Sequence, residues 1–140
     1  MSQEINSLRF LIIDDMLTVR KAVTQALIDL GVSMITGANS GQQALDMLTK
    51  AANTDLPFHF VISDWHMPDL SGLELARKCR HNSKLANIGF LMLTSETDTK
   101  KVVEAMLAGA DNYVLKPVVP TDLKNEIMSV VKKRYPAVTN

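Results

Sequence analysis

The chain has 140 residues, of which 46% are hydrophobic and 21% charged, the composition of one globular domain and not of a disordered segment. Fifteen basic side chains cancel fifteen acidic ones, which removes the broad positive field of a nucleic-acid binder. The lone cysteine, Cys79, excludes an internal disulfide and a multi-cysteine metal knot. No apolar run reaches the roughly 18 residues of a membrane-spanning helix, and Met1 to Ser7 has no secretory pattern, so a cytoplasmic location is expected.

Two periodicities alternate along the chain. Leu8 to Ile13 (LRFLII) predicts a strand that stops at Asp14-Asp15. Val19, Ala22, Val23, Ala26, Leu27 and Leu30 then recur at helical spacing before Gly31. Ser33 to Ala38 reads as a weaker strand. Ser40-Gly41-Gln42-Gln43 forms a capping box before a helix with Ala44, Leu45 and Leu48 on its inner face. Phe58 to Ser63 is a third strand, ending at Asp64, and Ser71-Gly72-Leu73-Glu74 opens a helix to about His81. Ile88 to Leu93 predicts a fourth strand, ending at Thr94. The next helix is expected to turn Val102, Val103 and Met106 inward and to close at Gly109. Asn112 to Leu115 is the fifth strand, ending at Lys116-Pro117. The last helix begins near Pro120 and carries Leu123, Ile127, Val130 and Val131 on its core side.

Five βα units with strands apolar throughout imply a parallel sheet covered on both faces. Five are too few for a barrel of eight, so the expected class is α/β, an open doubly wound sheet. Residues 1–7 and 135–140 read as tails flanking one domain of residues 8–134. Met34, Met47, Met92 and Met106 occupy core-like positions, and Lys132-Lys133-Arg134 read as favourable charges at a helix C-terminus.

Ligands in such sheets bind beyond the carboxyl ends of the strands, at the switch in strand order. There the sequence places Asp14, Asp15, Asp64, Thr94, Ser95 and Lys116. Taken singly, an Asp after a strand is as readily a helix cap or a turn former. As a set, three carboxylates within about 4 Å repel by roughly 1–4 kcal/mol per pair unless a cation sits among them. Few hard oxygens with room for water favour Mg²⁺. A metal, a lysine, a hydroxyl and a carboxylate nucleophile are equipment for phosphoryl transfer.

The residues that carry this chemistry also carry a resemblance. Asp14-Asp15 with Thr18 and Arg20, Ser63-Asp64-Trp65-His66-Met67-Pro68 with Gly72, Thr94-Ser95-Glu96, Gly109-Ala110, Tyr113 and Lys116-Pro117 stand in order. From about Leu8 to Arg134 the chain resembles the receiver domain of two-component response regulators, its CheY-like stand-alone chemotaxis members in particular. The resemblance implies a flavodoxin-like sheet of strand order 2-1-3-4-5. It implies Asp64 as phosphoacceptor, Mg²⁺ on Asp14, Asp15, Asp64 and the backbone carbonyl of His66, and Thr94 and Lys116 on the acyl phosphate. A cis Lys116-Pro117 bond is implied as well, against a general X-Pro frequency of about 5–6%.

The resemblance further implies that Thr94 and Tyr113 form a switch altering the face of the fourth helix, fifth strand and fifth helix. Read from the residue alone, Tyr113 is a half-buried strand aromatic. His66 and Glu96 fall where family members tune the lifetime of the acyl phosphate. A CheA-like histidine kinase would be the phosphodonor, a flagellar motor switch protein the output partner, and a phosphatase a further one, with the protein a monomer. No segment remains for an output domain, so signalling by protein contact is expected, and enzymatic activity beyond self-phosphorylation and autodephosphorylation is not. A phosphate sink or a regulator of another target fits the same residues. A haloacid-dehalogenase-like aspartyl-phosphate phosphatase uses the same groups but carries its nucleophile in a DxD motif, which Asp14-Asp15 does not form. Val118 departs from the family, where Phe commonly follows Lys-Pro. His59 and His81 lack metal-ligand spacing.

Overall fold

Continuous apolar strands can only be satisfied between two helical layers, and the computed structural model, which describes residues 3–139, builds that arrangement. The strands are β1 (Gln3–Glu4), β2 (Arg9–Ile13), β3 (Met34–Ala38), β4 (Phe60–Asp64), β5 (Gly89–Thr94), β6 (Asn112–Leu115) and β7 (Val138–Thr139). The helices are α1 (Leu17–Asp29), α2 (Gly41–Ala51), α3 (Gly72–Arg80), α4 (Thr99–Ala108) and α5 (Pro120–Arg134). The main sheet is parallel throughout, in the order β3-β2-β4-β5-β6. Counted over these five strands alone, that is the expected 2-1-3-4-5.

Alternation along each strand sorts the core into two halves. Leu11, Ile13, Val61, Phe90 and Met92 face α2, α3 and α4. Phe10, Ile12, Phe60, Ile62, Leu91 and Leu93 face α1 and α5. Phe10 to Ile13 are all buried, and each such side chain contributes about 1.5–3 kcal/mol relative to exposure. The edge strands β3 and β6 are only partly covered, as their weaker hydrophobic pattern predicts. The chain leaves β2 toward β3 on one side and returns to β4 on the other. This reversal opens a crevice at the carboxyl ends of β2 and β4.

The helix signals hold in most places. Ser40 and Ser71 accept hydrogen bonds from the backbone N–H groups of Gln43 and Glu74, each at 3.1 Å. Pro120 opens α5, with Leu123, Ile127, Val130 and Val131 buried. Gly109 ends α4 at φ +119°, a left-handed conformation suited to glycine. Three expectations are corrected. Val103 and Met106 are 49% and 40% exposed, not inward. Two stripes compete on α4, and the smaller one, Val102, Ala105 and Ala108, turns in, with both alanines buried. Ala22 on α1 is likewise exposed, and Val23, Ala26 and Leu27 carry the contact.

The segments read as tails are paired. Gln3 stands opposite Val138 and Glu4 opposite Thr139 in a two-stranded parallel sheet. Ile5 is buried, and the Tyr135 hydroxyl donates to the His59 carbonyl at 2.7 Å. Only residues 1, 2 and 140 of those tails lie outside the described part of the chain. His59 belongs to the same joint, its Nδ1 accepting the Arg9 N–H at 2.9 Å.

The basic residues expected at the C-terminus of α5 stand in its last turn. Lys133 and Arg134 do more than complement a helix dipole: both bind the buried Asp111 carboxylate, at 2.9 and 2.7 Å, and Arg80 from α3 joins them at 3.1 Å. The backbone N–H of Phe90 donates to the same carboxylate at 2.9 Å. One side chain thus ties α3, β5, the start of β6 and α5 together. Burial would raise the Asp111 pKa, but the hydrogen bonds from Arg134, Lys133 and Phe90 outweigh it and hold the group below the ordinary carboxylate range.

A depressed folded-state pKa contributes stability that is present above the unfolded value and lost as pH falls through the folded one. Asp111→Asn is therefore expected to unfold about 2 kcal/mol more easily at neutral pH, the partly exposed cations keeping this below the cost of a fully buried pair. Urea denaturation across pH checks this. The gap between the two proteins should narrow once pH drops below about 4 and through the lower Asp111 value.

Candidate functional site

Two tight backbone approaches set the site. At the end of β4 the chain must turn from Asp64 into the loop before α3, and the Gly72 N–H donates to the Trp65 carbonyl at 2.9 Å. A Cβ on Gly72 would lie 2.3 Å from the Asp64 carbonyl oxygen, so only glycine lets α3 begin this close to the carboxylate's own backbone. At the end of β2, the Asp14 side chain accepts the Met16 N–H at 2.9 Å, an Asx turn that starts the connection into α1.

These turns bring the predicted carboxylates together. One oxygen each from Asp14, Asp15 and Asp64 lies within 4.8 Å of the others. Asp14 and Asp64 are buried, while Asp15 is exposed at the mouth. Lys116, reaching over from the end of β6, places its ammonium 2.9 Å from Asp14 and 3.1 Å from Asp64. The Lys116-Pro117 peptide is cis, and the Lys116 N–H donates to the Thr94 carbonyl at 2.8 Å. Thr94 is buried at the end of β5, its hydroxyl oxygen accepting the Glu96 N–H at 2.9 Å. The Glu96 carboxylate in turn accepts from the Asp98 N–H at 3.2 Å, next to the cap of α4.

The flanking residues fall as follows. Trp65 is buried beside Asp64, and the exposed His66 stacks on it with ring centroids 6.2 Å apart. Tyr113 is half-buried on β6, opposite Met92, and Val118 packs partly buried against the α1–α5 side of the core. His81 is exposed at the end of α3, away from this group. Sequence reasoning missed the hydrogen bond from the Arg20 guanidinium to the Asp14 carbonyl. Its signal was present, a basic residue in the first turn of a helix that starts just after a carboxylate pair.

The electrostatics of the group are unbalanced. Burial raises the Asp64 pKa, the Asp14 charge raises it further, and Lys116 and the His66 N–H only partly oppose them. Burial works against the Lys116 ammonium too, but its hydrogen bonds to Asp14 and Asp64 outweigh that and raise its pKa. Three carboxylates face one ammonium, and a divalent cation would supply the two missing charges. All-oxygen donors of this kind suit a hard ion such as Mg²⁺. Asp64 stands alone at the end of β4 and the adjacent pair Asp14-Asp15 follows β2, a separation unlike a DxD motif on a single strand.

Comparison with known proteins agrees with this geometry. The response regulator receiver domain family matches residues 10–128. The chain is 33% identical over 127 residues to chemotaxis protein CheY-3 of Vibrio cholerae, covering 91% of this chain and 94% of that protein. It is 36% identical over 124 residues to a chemotaxis protein CheY homolog of Campylobacter jejuni, covering 89% and 92%. Among solved structures, chemotaxis response regulator CheY4 of Vibrio cholerae superposes with a TM-score of 0.76 at 32% identity, over 88% of this chain and 98% of that one.

Because Asp64 is harder to ionise in the folded protein than in the unfolded chain, its charge opposes folding, and the opposition is relieved as pH falls. Asp64→Asn is expected to stabilise the metal-free protein by about 1 kcal/mol, the usual scale of a point substitution. Urea denaturation in EDTA measures it. Added Mg²⁺ should reverse the order by stabilising the wild type more than the variant.

Proposed function

Because this chain belongs to the response regulator receiver family, as the match over residues 10–128 shows, we propose that Asp64 is its phosphoacceptor. The protein is a phosphorylation-activated regulator of the two-component kind. The observation that carries the assignment is the position of Asp64 itself, at a strand end, 3.1 Å from Lys116 and within 4.8 Å of Asp14 and Asp15.

In the reaction, an Asp64 carboxylate oxygen attacks phosphorus in a phosphohistidine of the kinase. The P–O bond forms as the P–N bond breaks, and the electron pair returns to the imidazole nitrogen, which takes a proton. Lys116 neutralises charge on the transferred group as a compact cation. Thr94, whose hydroxyl oxygen is already engaged by Glu96, has its hydrogen free to donate to a phosphoryl oxygen. Asp14, Asp15, Asp64 and the His66 carbonyl would hold Mg²⁺. Bound there, the ion supplies charge neutralisation and orientation for the incoming phosphoryl group. The exposed His66 and the Glu96 side chain border the route by which water reaches the acyl phosphate and set its lifetime.

Phosphorylation adds charge and strong acceptors at a rigid strand end. Thr94 moves toward them, and the half-buried Tyr113 turns inward to fill the vacated space, remodelling the α4–β6–α5 face. The output is a protein contact in the cytoplasm. Chemotaxis is favoured because the curated relatives named above carry that role in their names. A CheA-like kinase is the phosphodonor on this reading, a motor switch protein the target, and a phosphatase a further partner.

Mass spectrometry after incubation with a phosphorylated histidine kinase or acetyl phosphate and Mg²⁺ tests the assignment. One phosphoryl increment is expected on the wild type and none on Asp64→Asn. Steady hydrolysis of diverse phosphate esters would instead mark an enzyme. Capture with beryllofluoride-activated protein, using Asp64→Asn as control, identifies the target. Tyr113→Ala should weaken that binding about tenfold, equivalent to about 1.4 kcal/mol, and unchanged affinity would exclude the switch.

A further inference from the structure

Asp14 is fixed three ways. Its carboxylate binds the Met16 N–H and the Lys116 ammonium, each at 2.9 Å, and its carbonyl oxygen accepts from Arg20 Nη1 at 2.5 Å. Asp15 is different. It is exposed at the mouth of the group, and the peptide it shares with Asp14 sets where its carboxylate can go. That peptide is the one the guanidinium holds. Arg20 sits in the opening of α1, its own N–H bound to the Met16 carbonyl at 3.1 Å. Its stem runs beside β3, 4.0 Å from where a Cβ on Gly37 would stand. From there the guanidinium reaches back to the end of β2. The Thr24 hydroxyl closes onto the Arg20 carbonyl at 2.7 Å, completing a braced first turn.

We propose that Arg20 is a positioning residue: by holding the Asp14–Asp15 peptide plane from behind, it directs the Asp15 carboxylate toward Asp14 and Asp64 and so sets the affinity of the group for a divalent cation. Arg20 touches neither the ion nor the phosphoryl group in this scheme. The inference rests on the metal reading of Asp14, Asp15 and Asp64 made above. A partner one step removed from a metal ligand changes affinity by orienting the ligand, an effect of about 10–100-fold when removed.

The experiment compares wild type, Arg20→Met, which keeps the stem and removes the donors, and Arg20→Lys, which keeps the charge and a donor. Mg²⁺ is titrated against Trp65 fluorescence, stability is measured in urea without metal, and phosphorylation from acetyl phosphate is followed at low and saturating Mg²⁺. Arg20→Met is expected to weaken Mg²⁺ about tenfold. Its metal-free urea midpoint should stay near wild type and its phosphorylation rate should recover at saturating Mg²⁺, with Arg20→Lys intermediate. Mg²⁺ affinity within twofold of wild type in Arg20→Met overturns the proposal, as does a loss of stability with unchanged affinity. Should Arg20→Met fail to fold, wild-type Mg²⁺ affinity in a folded Arg20→Lys, shorter and with one donor head, overturns it equally. If the wild type shows no Mg²⁺ response in either fluorescence or metal-dependent stability, the metal reading fails and this inference with it. A wild type that binds Mg²⁺ while Arg20→Met binds equally well removes only the role of Arg20.

Discussion

One ammonium shared between two buried carboxylates governs the chemistry of this protein. Lys116 reaches Asp14 and Asp64 at 2.9 and 3.1 Å, with Asp15 close enough to share an ion with both. A single cation cannot neutralise three anions, and the shortfall is visible in the raised pKa of Asp64, caused by burial and by Asp14. The fold keeps the group in this condition because each member is anchored elsewhere: Asp14 by its turn, Asp64 by the strand, Lys116 by its backbone bond to Thr94. The consequence is a crevice end held ready for added positive charge.

The opposite end of the sheet shows the reverse condition. Around Asp111, three cations converge on one carboxylate, whose pKa falls accordingly. Here ionisation favours folding, and the cluster clamps α3, β5, β6 and α5. The near-neutral composition conceals this division. Strain from repelling charge is concentrated where chemistry occurs, and ion pairing is concentrated where rigidity is needed. The parallel fold makes the division natural, since all strands end at one side and the helix C-termini gather at the other.

Much of this was legible from residue order. Continuous apolar runs gave the central strands because burial on both faces leaves no polar position, and the polar residues that ended those runs were the site. Serine caps and Pro120 marked helix starts through local hydrogen-bonding chemistry that needs no tertiary partner. What could not be read depended on distant pairing. Asp111 looks like an ordinary loop residue until Arg80, Lys133 and Arg134 are brought to it. Val103 and Met106 have the hydrophobicity of core residues, and only the rotation of α4 in the fold shows that Ala105 and Ala108 face inward and they do not. The Tyr135–His59 bond spans 76 positions, beyond any periodicity.

The pairing of β1 with β7 makes the chain a nearly closed ring. Gln3 and Val138 are register partners, at the pole remote from the crevice, next to the start of β4. A linker of a few residues is enough to join those ends, so circular permutants are geometrically accessible. New termini opened in the exposed stretch from Asn53 to Leu56 would leave every strand-end carboxylate, and the lysine that serves them, on an uncut part of the backbone.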